Sequence, residues 1–112
     1  RHGRGIDQDH TKTFEWYTTS SEQGNSFAMN SLGVCYQLGE GCDQNFTKAV
    51  ELYEKSANSG YSAAMSNLGK CYIKGRGVTK DVNQAREWYT KAAAQGHATA
   101  QTKLDQLNAS NN

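Results

Sequence analysis

A period of 36 residues runs through this chain, and it limits what the chain can fold into more than any other feature does. Gly39 and Gly75, for example, are 36 residues apart, and segments 25–60 and 61–96 are identical at 15 of 36 aligned positions. A partial copy covers residues 3–24. A regular period of this length is typical of repeat proteins in which each supersecondary unit stacks on the next. The sequence therefore predicts one array of stacked units.

Each full unit contains two amphipathic helical patterns. In the second full unit, SAAMSNLGKCYIK has apolar residues at i, i+4, i+7 and i+8, and DVNQAREWYTKAAAQG at i, i+3, i+4, i+7 and i+8. Both spacings put the apolar residues on one face of an α-helix. The 11 glycines and the absence of proline favour helices that end at glycines and give no support to an all-β fold. We predict an all-α fold, an α/α solenoid of antiparallel helix pairs.

Glycines and polar residues mark the predicted helix ends. Gly75 is placed to end a first helix in the left-handed backbone conformation, which glycine adopts without steric penalty. Asp81 is a natural N-cap for the following second helix, and Gln84 completes a box-like D-x-x-Q pattern. Asn45 and Asp9 hold the equivalent capping positions in the other two copies.

Two glycines fall inside the predicted first helices. Gly33 and Gly69 are equivalent in the repeat, and a glycine inside a helix costs about 1 kcal/mol relative to alanine. We predict that each allows the backbone of a neighbouring helix to approach closely.

The repeat register predicts how the array is divided. The last segment has Asp105 where Gly33 and Gly69 stand in the full repeats, which indicates a terminal helix. A lone second helix in the first copy would expose the apolar face that carries Trp16, so we expect a fragment of a longer chain. The predicted division of the single array 1–112 is a partial repeat 3–24, repeats 25–60 and 61–96, a C-terminal capping helix 97–107 and a frayed tail 108–112.

The second full repeat reads L-G-x-x-Y-x-x-G-x-G-V from Leu68 to Val78, then has an acidic cap, then reads A-x-x-W-Y-x-K-A-A-x-x-G from Ala85 to Gly96. This motif resembles the Sel1-like repeat, a relative of the tetratricopeptide repeat. The resemblance runs from Gly3 to about Leu104 and implies a right-handed superhelix of helix pairs, with adaptor or scaffold roles in protein assemblies. The matching residues are Leu68, Gly69, Tyr72, Gly75, Gly77, Val78, Asp81, Ala85, Trp88, Tyr89, Lys91, Ala92, Ala93 and Gly96.

Three cysteines could carry chemistry. Cys35 and Cys71 are repeat equivalents on stacked helices, too far apart for a disulfide, whereas a bond between Cys35 and Cys42 stays open. We interpret all three as small buried hydrophobic residues. A cysteine-rich branch of the family has a cysteine pair in every repeat; this chain lacks that pattern, so no activity of that branch is carried over.

No other residue pattern points to catalysis, a metal or a cofactor. His2, His10 and His97 are scattered without zinc-ligand spacing and are interpreted as exposed loop residues, and no nucleophile motif is present. The Trp-Tyr pairs at 16–17 and 88–89 are interpreted as core packing rather than a stacking platform. We therefore predict that the chain is not an enzyme and has no catalytic, metal-binding or cofactor-binding residues.

Charge and sequons bear on partner and compartment. The net charge of +1, from 12 basic and 11 acidic residues without a basic stripe, argues against nucleic-acid and membrane-surface partners, and no apolar run is long enough for membrane insertion. The compartment stays open: an intracellular location is favoured, while the sequons at Asn45 and Asn108 are also consistent with the secretory pathway or ER lumen.

The predicted function is a protein–protein interaction scaffold or adaptor that binds a protein or peptide segment, within a larger complex. In stacked helix pairs the first helices line the concave side. The lysines predicted on this concave side favour acidic or carboxylate ligands, and the asparagines predicted there can pair with a peptide backbone. The alternatives are a hydrolase-type enzyme with an unrecognised site and a purely structural cap of a longer array. The predicted groove residues are Asn30, Val34, Gln37, Asn67, Lys70, Lys74 and Lys103.

Overall fold

The computed structural model describes the backbone of residues 3–110 and the side chains of residues 11–109. Over that range the chain forms six α-helices and no strand, which confirms the all-α prediction. Their bounds are α1 Gly3–Glu22, α2 Ser26–Leu38, α3 Phe46–Asn58, α4 Ser62–Lys74, α5 Val82–Ala94 and α6 Ala98–Ser110.

The helices pack as a linear array of pairs. The most extensive contacts join α2 to α3 and α4 to α5, which are the first and second helices of the two full repeats. Smaller contacts join α1 to α2, α3 to α4 and α5 to α6. The resulting molecule is elongated, with principal dimensions of 49 × 29 × 23 Å. This arrangement of helix pairs that contact only their neighbours confirms the predicted solenoid.

The core runs along the array and is built from small residues around a few large ones. Tyr53 and Leu68 are fully buried, and alanines such as Ala49 and Ala64 let the helices approach one another. Ser56 is also fully buried, and its hydroxyl donates to the backbone oxygen of Ser26 at 2.8 Å, which ties α3 to the start of α2. Every buried polar group of this kind needs such a partner, because water cannot reach it.

The helix ends are formed largely as the sequence predicts. Gly75 has a left-handed backbone (φ 68°), and its N–H donates to the oxygen of Cys71 at 2.7 Å. The Asp81 carboxylate accepts the N–H of Gln84 at 3.1 Å, which confirms the N-cap. The second half of the predicted box is absent from the described hydrogen bonds: the N–H of Asp81 donates instead to the backbone oxygen of Tyr72, at 3.0 Å.

The two helical glycines face tyrosine rings. A Cβ atom on Gly33 would lie 2.7 Å from Cε1 of Tyr53 and 3.2 Å from the backbone oxygen of Ala49. A Cβ atom on Gly69 would lie 2.9 Å from Cε1 of Tyr89. The predicted close approach therefore exists, but the approaching group is mainly a ring rather than a helix backbone.

Both ends of the array differ from the predicted boundaries. Helix α1 begins at Gly3 and runs through Asp9, so Asp9 is not an N-cap. In the second full repeat the equivalent turn packs on the preceding repeat, where Gly77 lies against the backbone oxygen of Phe46. Helix α6 continues to Ser110, past the predicted end at 107, while residues 111 and 112 lie outside the described range.

Candidate functional site

The first helices α2, α4 and α6 are linked along one side of the array, by a bond between Asn67 and Asn30 and by a cavity between α4 and α6, and this side is the candidate site. We call this surface the first-helix face and define it by Asn67, Lys70 and Lys103, which project from α4 and α6. The structure divides the seven predicted groove residues into three groups. Some bond to other parts of the chain, one lines a separate cavity near α1, and the three lysines surround one cavity.

Asn30 and Asn67 bond to each other. The side-chain amide of Asn67 donates to Oδ1 of Asn30 at 2.9 Å, which links α2 to α4 across the repeat. Asn30 is only 8% exposed. Its side chain is therefore part of the contact between repeats and offers little to a peptide backbone.

Gln37 is likewise engaged within the chain. Its Oε1 accepts the hydroxyl of Tyr53 at 2.7 Å, and its backbone oxygen accepts the side-chain amide of Gln44 at 2.8 Å. Burial, followed by the nearby Cys71 and Cys35 thiols, raises the pKa of Tyr53. This tyrosine is therefore a neutral donor with its acceptor already in place.

Val34 lines a small cavity between α1 and α2. The cavity volume is about 200 Å³, and Tyr17 and Cys35 form part of its wall together with the carboxylate-bearing Glu40. Val34 thus lies apart from the lysines, near the N-terminal end of the array.

The three lysines converge on one larger cavity, which we call the basic cavity. Its volume is about 420 Å³, and it lies between α4 and α6 with one residue of α5 at its base. Among the described residues, none of the three ammonium groups has an ion-pair partner, and no Asp or Glu lines the cavity. The lining residues are Lys70, Ile73, Lys74, Tyr89, Lys103, Gln106 and Leu107.

Tyr89 is the residue of α5 at the base of the basic cavity. It is not among the groove residues predicted from the sequence. Its side chain is 2% exposed, and within residues 3–110 its hydroxyl has no hydrogen-bond partner. Burial, with a further contribution from Cys71, raises the pKa of Tyr89 to about 12. The hydroxyl therefore stays protonated at neutral pH as a donor. Among the described residues only Nη2 of Arg86 is enclosed without a partner, so the Tyr89 oxygen is open to the basic cavity.

The cysteines and the described histidine have structural surroundings. All three cysteines are free thiols, and Sγ of Cys42 donates to the backbone oxygen of Cys35 at 3.6 Å. Burial raises the pKa of the Cys71 thiol to about 11. His97 is not a free loop residue, because its Nδ1 accepts the N–H of Ala100 at 3.1 Å and so caps α6. No group of His, Cys, Asp or Glu within the described part could hold a metal ion.

The Trp-Tyr pairs have different surroundings at the two ends of the array. Tyr89 is buried and Trp88 is half-buried beneath the ammonium of Lys91, 4.6 Å from the ring centroid. Trp16 is 55% exposed and packs edge-to-face on Tyr17, so the core prediction is wrong for Trp16. Leu52, the equivalent residue in the first full repeat, lies beside α2, the first helix of that repeat.

The outer side of α5 offers a second, flatter surface. Arg86, Glu87, Thr90 and Lys91 border a cavity of about 380 Å³. One nitrogen of Arg86, Nη1, donates to Asn83 at 3.0 Å, while Nη2 is enclosed without a partner in the described chain. Charges of both signs alternate here, so this surface lacks the single-sign character of the basic cavity.

The stacked helix pairs, turned at glycines with left-handed backbones, define the chain as an α-solenoid repeat protein. More particularly, the chain belongs to the Sel1 repeat family, whose model matches residues 1–25, 26–61 and 62–97. No curated protein sequence matches the chain. In the described range no helix is long and apolar enough to cross a membrane.

Three solved structures illustrate the similarity. A protective antigen of uropathogenic Escherichia coli with an SLR fold is 38% identical, with a TM-score of 0.78 over 81% of this chain; the chain spans 20% of that protein. A Sel1 repeat protein from Oxalobacter formigenes is 39% identical (TM-score 0.79, 82% of this chain and 69% of that one). The cysteine-rich protein B of Helicobacter pylori is 25% identical (TM-score 0.77, 81% and 68%).

The family has a general role. Sel1 repeats are generally protein–protein interaction modules, and the scaffold proteins built from them are generally non-enzymatic. Which surface of this chain binds, and what it binds, has to be argued from its own residues.

Proposed function

We propose that this chain is a scaffold or adaptor module that binds a peptide segment of a partner protein on its first-helix face, within a larger complex. The observation that carries the proposal is the convergence of Lys70, Lys74 and Lys103 on one cavity without an ion-pair partner in the described chain. A ligand that brings negative charge supplies the partner that these three ammonium groups lack within the described chain.

The shape of the surface supports a peptide as the ligand. The basic cavity lies between two neighbouring first helices and combines cationic side chains with the apolar side chains of Ile73 and Leu107. Clefts that combine apolar walls with a few polar groups are the usual ligand sites of proteins. The small net charge of +1 for the whole chain favours a local acidic partner over nucleic acid.

A test that does not presuppose the ligand is selection of peptides from a random library on the immobilised chain, followed by NMR mapping. We expect the selected peptides to shift the amide signals of Asn67, Lys70, Lys74 and Lys103. Two variants with equal charge change then separate the surfaces. Replacing Lys70 and Lys103 by Glu is expected to abolish binding, whereas replacing the exposed Lys55 and Lys91 by Glu leaves it unchanged. Signal changes confined to α3 and α5 would contradict the proposal.

A structural role as the terminus of an array is the second candidate, and Asp105 favours it. In the full repeats Gly33 and Gly69 leave room for a tyrosine ring of the following second helix. Asp105 has the equivalent position in α6, and its carboxylate accepts the side-chain amide of Gln101 at 2.9 Å. A side chain there fills the space that such a ring needs. If alanine substitutions across the first-helix face caused no loss of peptide binding, this second role would be preferred.

A further inference from the structure

We propose that the basic cavity is a receptor for consecutive acidic side chains of a partner peptide, and that the Tyr89 hydroxyl donates a hydrogen bond to one of their carboxylates. This inference rests on the proposed function and assigns the ligand class and the donor. It starts from the Tyr89 hydroxyl, which is open to this cavity and has no partner in the described chain.

The preceding repeat allows the hydrogen bonding of Tyr89 to be compared with that of an equivalent tyrosine. Tyr53 is the equivalent tyrosine one repeat earlier, and its hydroxyl donates to Gln37 at 2.7 Å. The position equivalent to Gln37 is Ile73, which has no acceptor atom. The described chain therefore supplies a hydrogen-bond acceptor for the Tyr53 hydroxyl and none for the Tyr89 hydroxyl. The Tyr89 oxygen is open to the basic cavity, so a ligand in that cavity can accept its hydrogen bond.

The cationic groups are also specific to this repeat. The positions equivalent to Lys70 and Lys74 one repeat earlier are Val34 and Leu38, and the position equivalent to Lys103 is Asn67. None of these three carries charge. The repeat framework does not need lysines there, because the preceding repeat forms the same helix pair without them.

The number and type of charges select the ligand. Three ammonium groups around one cavity are balanced by two or more carboxylates, which a run of Asp or Glu side chains supplies and a single chain terminus does not. The neighbouring Ile73 and Leu107 offer contact to one apolar side chain in the same segment. No arginine lines the cavity within the described chain, and arginine is the residue best matched to bidentate phosphate binding. Together these features favour an acidic segment with an apolar residue over a phosphopeptide.

The probe for the test is a Glu-Leu-Glu-Glu-Leu-Glu peptide with fluorescein on its amino terminus and an amidated carboxyl terminus, measured by fluorescence anisotropy with the full chain. We expect Tyr89→Phe to weaken binding about tenfold, the usual effect of one hydrogen bond to a charged group. The matched control is Tyr53→Phe, which removes the equivalent hydroxyl and is expected to leave the affinity unchanged. Equal affinities of Tyr89→Phe and the wild type would overturn the role of the hydroxyl.

A second variant tests the same idea without removing Tyr89. Ile73→Gln places at the cavity the acceptor that Tyr53 has in Gln37, so the Tyr89 hydroxyl gains an internal partner. We expect this variant to bind the peptide several-fold more weakly and to unfold at higher urea concentration than the wild type. Adding Tyr89→Phe to Ile73→Gln is expected to change the affinity no further. A full additional loss in the double variant would contradict the assignment.

The peptide arms distinguish the ligand classes. The Gln-Leu-Gln-Gln-Leu-Gln peptide is expected not to bind, and binding of the acidic peptide is expected to fall steeply between 50 and 300 mM salt because exposed charges are screened. Stronger displacement of the probe by a Gly-Ser-Gly-Leu peptide with a free carboxyl terminus, or by a phosphoserine peptide, would overturn the acidic-segment assignment. If the library peptides map to the first-helix face but the acidic probe does not bind, this inference fails while the proposed function stands.

Discussion

Replacing either helical glycine by alanine tests how tightly the helix pairs are packed. In an exposed helix the change from glycine to alanine stabilises by about 1 kcal/mol, because alanine loses less backbone entropy. Gly33 and Gly69 are buried against tyrosine rings. The new methyl group therefore gains helix propensity and loses packing, and the sign of the result depends on whether the ring can move.

The structure predicts different outcomes for the two equivalent sites. At Gly33 the new Cβ would meet Cε1 and Cδ1 of Tyr53 at 2.7 and 2.9 Å and the backbone oxygen of Ala49 at 3.2 Å. The ring is held by its bond to Gln37, and the backbone cannot rotate away. Overpacking a core typically costs 1–3 kcal/mol, and with a fixed ring we expect about 3, for a net loss of about 2 kcal/mol.

At Gly69 all three nearest atoms belong to the Tyr89 ring, at 2.9, 3.0 and 3.2 Å. That ring lies beside the basic cavity, and its hydroxyl has no partner in the described chain, so it can shift by a few tenths of an ångström. We expect an overpacking cost of about 1 kcal/mol, which the gain in helix propensity nearly cancels. Gly69→Ala should therefore change the free energy of unfolding by less than about 1 kcal/mol.

The assay is urea unfolding followed by circular dichroism at 222 nm, with the slope of the transition checked for two-state behaviour. The order of the variants matters most: Gly33→Ala should be clearly less stable than Gly69→Ala. In a Tyr53→Leu background, which removes Cε1, the cost of Gly33→Ala should shrink, because neighbouring substitutions couple. Equal effects at the two glycines, or a stabilising Gly33→Ala, would refute the reasoning.

Three further predictions concern the helix caps, a buried hydroxyl and alkaline pH. Asn45→Ala and Asp81→Ala each remove an N-cap and should lower the free energy of unfolding by about 1 kcal/mol, measured in urea. Ser56→Ala leaves the backbone oxygen of Ser26 without its donor and should cost about 1–2 kcal/mol in the same assay. The pKa of the Cys71 thiol is raised to about 11, whereas the pKa of a thiol in the unfolded chain is about 8.5. The folded state thus holds this proton more tightly, so stability should fall between about pH 9 and 11, and Cys71→Ala should reduce that fall.

Each of these predictions has a control. Serine at position 45 or 81 keeps a capping oxygen and should restore most of the lost stability. Unchanged stability in Ser56→Ala would mean that water reaches the Ser26 oxygen after the substitution. A pH profile that is the same with and without Cys71 would show that other groups, such as the buried tyrosines, account for the alkaline loss.

The fold could be predicted from the sequence because the same helix-end and apolar signals recur in successive copies of the repeat. Gly75, Asp81 and Asn45 have the predicted roles, since each local signal agrees with the helix pair that surrounds it. The start of α1 was mispredicted, because the capping role of Asp9 was inferred from the full repeats, where the turn also packs on distant residues, as Gly77 does on Phe46. Local sequence does not report such long-range contacts.

The candidate site could be predicted only as a face. Helical spacing placed Lys70, Lys74 and Lys103 on the first helices, and they do line one cavity. Spacing could not show that Asn30 bonds to Asn67, because that contact joins side chains 37 positions apart. Tyr89 was missed because it lies on a second helix. The replacement of Gln37 by Ile73 in the next repeat was the available signal.

The two full repeats together act as an internal control for function. Positions that are the same in both, such as Tyr53 and Tyr89, build the helix pair and would be needed whatever the chain bound. Positions that differ cannot be required by the pair, because the pair forms with either residue. At the first-helix face these differences replace neutral residues by lysines and remove one acceptor beside the Tyr89 hydroxyl, so both changes favour an anionic ligand that accepts hydrogen bonds. Two independent changes with one chemical consequence are the strongest reason to look for an acidic partner at the basic cavity.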